Sequence, residues 1–182
     1  HGPMLGDLGP TSVKIWIRAG RECEVKVVIE GVAADAVEAA AVNDYTAVVE
    51  LTRLEPDTFY HYQIFQDEEP VDLGHETSFR TLPDDGGKKI KIVFGGGSGV
   101  TPRFERMWNT IRGHNPDALL LLGDNVYIDR PEVPEVGQYC YYRRQSRPEW
   151  RRLTAGVPVY AIWDDHDFGT NDCHGGAAVD DP

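Results

Sequence analysis

Between Val13 and Thr81 the apolar residues fall on every second position of short runs, a spacing that suits an extended strand with one face in a core. Such runs cover 13–18, 24–29, 46–51, 59–65 and 76–81, and Gly, Pro and Asp residues break the pattern between them. Several short alternating strands joined by turns predict an antiparallel β-sandwich for residues 1–83. Pro83-Asp84-Asp85-Gly86-Gly87 then has nothing to put in a core, and residues 84–87 read as a linker.

Past the linker the texture changes. Residues 89–94 read as a strand that runs into glycines, and residues 102–113 as a helix with Phe104, Met107, Trp108 and Ile111 on one face. Ala118 to Leu122 carries four consecutive leucines, as a strand buried on both sides does. A second, arginine-rich helix is predicted over 143–153 and a third strand over 157–163. The strand, loop, helix, strand order of residues 88–182 is that of an α/β domain. Each predicted strand ends in a polar cluster, which is where α/β sheets place ligands.

A chain of 182 residues with 41% hydrophobic content can bury one good core or two small ones. The net charge of -12 is uneven, with 17 acids against 6 bases in residues 1–87 and 13 against 12 in residues 88–182. No nucleic-acid footprint is present in that balance. No apolar run is long enough for a membrane span, and the opening residues lack a signal-peptide pattern. Cys23, Cys140 and Cys173 have no metal-knuckle spacing, although one bridge among them is compatible with the sequence.

Two clusters carry the chemistry. The first is Gly123-Asp124-Asn125-Val126-Tyr127-Ile128-Asp129, directly after the leucine strand. The second runs from Trp163 to Asp172 and packs Asp164, Asp165, Asp167, Asp172, His166 and Asn171 into ten residues. A Gly-Asp pair after a strand is also a common turn. Four carboxylates beside an imidazole are harder to keep together, because like charges repel unless a cation joins them. The glycine run 95–99 has two readings, a turn that lets backbone approach closely and a nest of amides for phosphate at Gly96, Gly97 and Ser98. The arginines at 143, 144, 147, 151 and 152 read first as a solvated helix face, with steering of an anion as the alternative.

Leu54-Glu55-Pro56-Asp57-Thr58-Phe59-Tyr60-His61-Tyr62 resembles the tyrosine corner of fibronectin type III domains, and Ser78-Phe79-Arg80-Thr81 follows as it does there. The two polar clusters together resemble the PhoD-like alkaline phosphatases and phosphodiesterases of the metallophosphoesterase superfamily, in which a GDxxY element and a WDDHE/D element each end a strand. Gly2-Pro3, Trp16-Ile17-Arg18 and Tyr141-Tyr142-Arg143-Arg144 match weaker signatures of that family.

The resemblance implies a fibronectin-like or immunoglobulin-like leading domain followed by the first part of a layered α-β-β-α metallophosphoesterase domain. It implies metal ions (iron, calcium, zinc or manganese), with Asp124 bridging two of them, Tyr127 a phenolate ligand, Asp165 and Asn171 further ligands, and Asp172 a secondary candidate. His166 would be the proton donor in hydrolysis of phosphate mono- or diesters by activated hydroxide. The family acts outside the cytoplasm, so an extracellular or periplasmic location is expected. Two departures stand out. The family's Ser-Cys after the linker strand is replaced by Gly95 to Gly99, and its late histidine ligands have no counterpart before Pro182. A further segment or another polypeptide is therefore expected to complete the fold. The competing expectation is a surface or interaction protein whose phosphatase-like part has decayed, with the fibronectin-like module as its working part.

Overall fold

The computed structural model describes residues 1–29, 32–87 and 89–174, with side chains left aside at 32 and 33. Twelve strands are present among them: β1 (Met4–Gly6), β2 (Val13–Arg18), β3 (Cys23–Ile29), β4 (Val32–Ala33), β5 (Val37–Ala39), β6 (Thr46–Leu51), β7 (Phe59–Gln66), β8 (Glu69–Pro70), β9 (Ser78–Arg80), β10 (Ile92–Gly95), β11 (Ala118–Leu122) and β12 (Val159–Ile162). The helices are α1 (Met107–Gly113), α2 (Pro134–Gln145) and α3 (Pro148–Thr154). The chain forms two compact units, His1–Ile90 with Arg151–Pro158, and Lys91–Trp150 with Val159–Pro182.

In the first unit every strand pair is antiparallel. One sheet has the order β1-β2-β6, and the other runs β4-β3-β7-β8 with β5 also on β3 and β9 on β7. The period of two read from the sequence does its work here. Val13, Ile15 and Ile17 of β2 and Val25, Val27 and Ile29 of β3 point into one shared core, while Lys14, Lys26 and Glu50 take outward positions. The Glu55 N–H donates to Tyr60 Oη at 2.8 Å. Tyr62 lies deeper, 5% exposed, and its hydroxyl donates to the Ala155 carbonyl at 2.8 Å. Burial pushes that phenol well above the usual tyrosine range, so it serves as a fixed donor.

The second unit holds a three-stranded parallel sheet of order β10-β11-β12. Its two faces differ. Leu119 and Leu121 are buried on one side, whereas Ile92, Phe94, Leu122, Tyr160 and Ile162 stand on the other with 43–70% of their surface exposed. The register puts these exposed residues on one face, pairing Phe94 with Leu120, Leu120 with Tyr160 and Leu122 with Ile162.

Three sequence expectations change. The helix expected over 143–153 is two helices, α2 and α3. Pro148 opens α3, where its missing N–H is harmless, and it disfavours helical backbone at Arg147 before it. The helix expected over 102–113 begins as a 3-10 turn at Pro102–Phe104 and becomes α-helical only at Met107. Trp108 is then buried at 2%, and Phe104 is left 51% exposed. The solvated arginine face fails at Arg144, which is 4% exposed and pairs with Glu105 at 3.2 Å. Cys23 and Cys140 carry free thiols.

Candidate metal centre

The parallel register sets the ends of β10, β11 and β12 side by side, with Gly95 opposite Leu121 and Leu122 opposite Ile162. The loops that follow therefore rise from one edge of the sheet. These are the glycine run, the Asp124 loop and the Asp165 loop. Gly123 makes the second of them possible. Its φ is +94°, and a Cβ there would lie 2.5 Å from Asp164 Cβ and 3.1 Å from Asp164 N. Only glycine lets the two motif loops come this close.

The loops are tied together by one buried carboxylate. Asp167, 3% exposed, accepts the N–H groups of Asn125 at 2.8 Å and Val126 at 3.2 Å on Oδ1. Its Oδ2 accepts the Asn125 side-chain amide at 3.2 Å and the Asp164 N–H at 3.0 Å. Asp164 in turn caps the Asp165–Asp167 turn by accepting the Asp165 N–H at 2.9 Å. The Ile128 N–H adds a bond to the His166 carbonyl at 3.1 Å. Asp167 belongs to the second sequence cluster. Its acidity was visible there, but its inward direction was not.

With the loops fixed, Asp124, Asp165 and His166 offer ligand atoms that all lie within 4.8 Å of one another. Asp124 adopts φ 51°, and its Oδ2 accepts the Tyr127 hydroxyl at 3.1 Å. The Tyr127 ring lies against the His166 ring at 4.5 Å between centroids. Asp124 Oδ1 and His166 Nδ1 are buried and have no hydrogen-bond partner among the described residues. Two orphaned polar atoms of this kind in one cluster are what a cation would satisfy.

Asp165 accepts the Asp172 N–H on Oδ2 and the His166 N–H on Oδ1 at 2.8 Å. The Asp172 bond, helped by the others, holds its carboxyl below the usual range and keeps it anionic as a ligand must be. Tyr127 is the opposite case. Desolvation first, then its bond to Asp124, push its phenol up, so the chain alone keeps it protonated. A phenolate at this position requires a nearby positive charge.

Asn171 is exposed and its amide donates to Asp172 Oδ2 at 2.6 Å, within the same turn that serves Asp165. Two of the three amides of the phosphate-nest reading, those of Gly97 and Ser98, bond within the protein. Gly97 N–H donates to the Gly123 carbonyl at 3.2 Å and Ser98 N–H to the Asp124 carbonyl at 3.0 Å, so these two are already spent on the neighbouring loop. The run acts as close-approach backbone here, since a Cβ on Gly96 would stand 3.2 Å from the Gly123 carbonyl oxygen.

Comparison with known proteins supports the fold reading. Residues 1–83 match the family described as a domain of unknown function (DUF7800). No curated protein matches the chain. The solved structure described as "Structure of PhoD" overlays 93% of this chain with a TM-score of 0.74 at 18% sequence identity. The fold is PhoD-like. The chain spans 39% of that structure's length, and at this identity the likeness speaks for the fold alone. The sensor domain of the anti-sigma factor RsgI4 in Pseudobacteroides cellulosolvens overlays 44% of this chain and 89% of its own (15% identity, TM-score 0.33). The fn3 domain of human contactin 1 overlays 49% and 85% (15% identity, TM-score 0.28). Both scores are too low to support an argument.

Replacing Gly123 by alanine is expected to push the Asp124 and Asp165 loops apart and to cost about 2 to 4 kcal/mol, since backbone and Cβ atoms of Asp164 block the new methyl and the left-handed φ is also penalised. Urea unfolding of Gly123→Ala beside Gly113→Ala, where a new Cβ meets nothing within 4 Å, checks this. Equal midpoints for the two variants would contradict the close approach.

Proposed function

We propose that this protein is a PhoD-like, metal-dependent phosphoesterase that hydrolyses phosphate mono- or diesters. The observation that carries the reading is the convergence of Asp124, Asp165 and His166, where a buried oxygen of Asp124 and a buried nitrogen of His166 have no hydrogen-bond partner among the described residues. The PhoD-like fold supports it by placing this cluster at the carboxyl edge of a parallel sheet.

Asp124, Asp165, His166 and Tyr127 would hold the cation or cations, with Asn171 as a further ligand. Iron, calcium, zinc and manganese all suit a set of carboxylates, an imidazole and a phenol. Metal bound there supplies a nucleophilic hydroxide at neutral pH and neutralises charge on the phosphoryl oxygens. The chain's own part is positioning. Asp167 fixes both motif loops, Asp164 caps the turn that bears His166, and the Tyr127 ring keeps the imidazole in place. His166 takes one of two roles in this scheme: proton donor to the departing alkoxide when it carries the proton, or neutral ligand to the cation through its unpartnered Nδ1.

The leading domain is proposed to be fibronectin-like, on the strength of the Tyr60 corner bond and the two antiparallel sheets around one core. An extracellular or periplasmic location belongs to the same proposal. Among the described residues no helix is long and apolar enough to cross a membrane.

Hydrolysis is the direct test. With the full-length protein, Asp124→Asn is expected to lower kcat/KM for chromogenic mono- and diesters by at least about a hundredfold, in line with loss of a ligand or of its supporting charge. Absence of turnover by the metal-supplemented wild type would favour the decayed, non-catalytic reading instead.

The exposed face of the parallel sheet calls for a cover, because parallel sheets are stable when both faces are buried. We propose that further polypeptide, from this chain or another, lies over Phe94, Leu122, Tyr160 and Ile162, and PhoD's length beyond the overlaid part supports this. Residues 1–182 alone are expected to bind a hydrophobic fluorescent dye or to self-associate, and Phe94→Asp with Ile162→Asp to suppress both. A monomeric, dye-free wild-type fragment would contradict the proposal.

A further inference from the structure

A cleft of about 560 Å³ opens beside the metal cluster within the second unit. Gly97, Ser98, Gly99, Thr101, Phe104, Arg106, Met107, Thr110 and Tyr127 line it. Its size is that of a small-molecule site. Tyr127 is the shared wall, since its hydroxyl bonds Asp124 while its ring borders the cleft. A phosphoryl group held at the cluster would therefore send its ester substituent past Tyr127 into this space.

The floor is rigid and almost bare. Its Gly97 and Ser98 amides are held by the Gly123 and Asp124 carbonyls from one side. From the other, Arg143 Nη2 donates to the Val100 carbonyl at 2.7 Å and Arg144 donates to the Ser98 carbonyl. Arg144 is itself locked by Glu105 and lies over the Trp108 ring at 4.9 Å. A Cβ on Gly99 would touch the Tyr127 ring at 3.4 Å, so the missing side chain leaves that ring facing the cleft. With two amides already bonded, such a floor selects by shape.

The walls give the chemistry. Phe104 and Met107 are apolar, Ser98, Thr101 and Thr110 bring hydroxyls, and among the described residues Arg106 is the one charged side chain in the lining. Among the described residues no acid lines the cleft, while the neighbouring cluster pairs two carboxylates with an imidazole. The phosphoryl end and the organic end of a substrate thus meet opposite environments.

We propose that this cleft seats the organic half of the ester, an alcohol bearing a flat ring with an anionic or acceptor group that reaches Arg106. The proposal rests on the phosphoesterase reading and adds the substrate class to it.

Benzyl, para-carboxybenzyl and ethyl phosphates, each also as the methyl diester, separate the two ideas, because benzyl and ethyl alcohols are similar leaving groups that differ in bulk. With metal-supplemented full-length protein, kcat/KM is expected to favour benzyl over ethyl. Thr110→Trp, which fills the cleft, is expected to reduce that preference at least about tenfold. Arg106→Gln is expected to reduce the preference for para-carboxybenzyl over benzyl by about tenfold, and it serves alone if the tryptophan variant does not fold. Hydrolysis with ratios unchanged in both variants would overturn the cleft assignment and leave the phosphoesterase reading standing. No hydrolysis of any ester by the wild type would overturn both.

Discussion

The site depends on one carboxylate that never faces substrate. Asp167 accepts four N–H groups from two loops, and each of those donors would be stranded in a buried place without it. Hydrogen bonds to a charged acceptor contribute about 1.5 to 3 kcal/mol each, which is enough to offset burying the charge when several converge. The result is a rigid join between strand ends that the sheet has already set side by side. Gly123 completes the join by leaving no atom where the loops touch. Asp124, Asp165 and His166 then converge because of where Asp167 points.

A second buried charge does the same for the glycine run. Arg144 and Glu105, each 5% exposed at the side chain, sit against Trp108 and Trp150, and the indole N–H of Trp108 donates to Glu105 at 3.1 Å. Burying such a pair is costly, and removing one partner costs more, about 3 to 5 kcal/mol. What the pair supplies is direction: Arg144 reaches the Ser98 carbonyl, and Ser98 reaches the Asp124 carbonyl. Glycine backbone thereby becomes a fixed wall of the site.

Much of this was legible in the sequence. The strands at 13–18 and 46–51 fall where the hydrophobic period put them, because side-chain alternation and strand burial are the same fact, and the run of four leucines marks the strand at 118–122. The Glu55 to Tyr60 bond follows from a local motif with a local cause. The neighbourhood of Asp124, Asp165 and His166 was readable too, since residues at parallel strand ends become neighbours once the sheet forms. What stayed hidden was long-range or directional. Arg144 looks like any surface arginine until Glu105, 39 residues earlier, is folded beneath it. The Gly97 and Ser98 amides look available until the Asp124 loop arrives to take them. Short strands such as β4 and β8 carry too few residues for any period to show.

The central claim is that Asp124, Asp165 and His166 form a cation site. Elemental analysis of purified full-length protein, paired with titration of the metal-stripped protein by calorimetry, tests it most directly. The account predicts at least about one tightly held equivalent of iron, calcium, zinc or manganese, with affinity falling about 10- to 100-fold or more in Asp165→Ala and the Gly113→Ala protein binding as the wild type does. Wild-type protein that carries no metal and binds none on titration, or an Asp165→Ala variant that binds as tightly as the wild type, would contradict it.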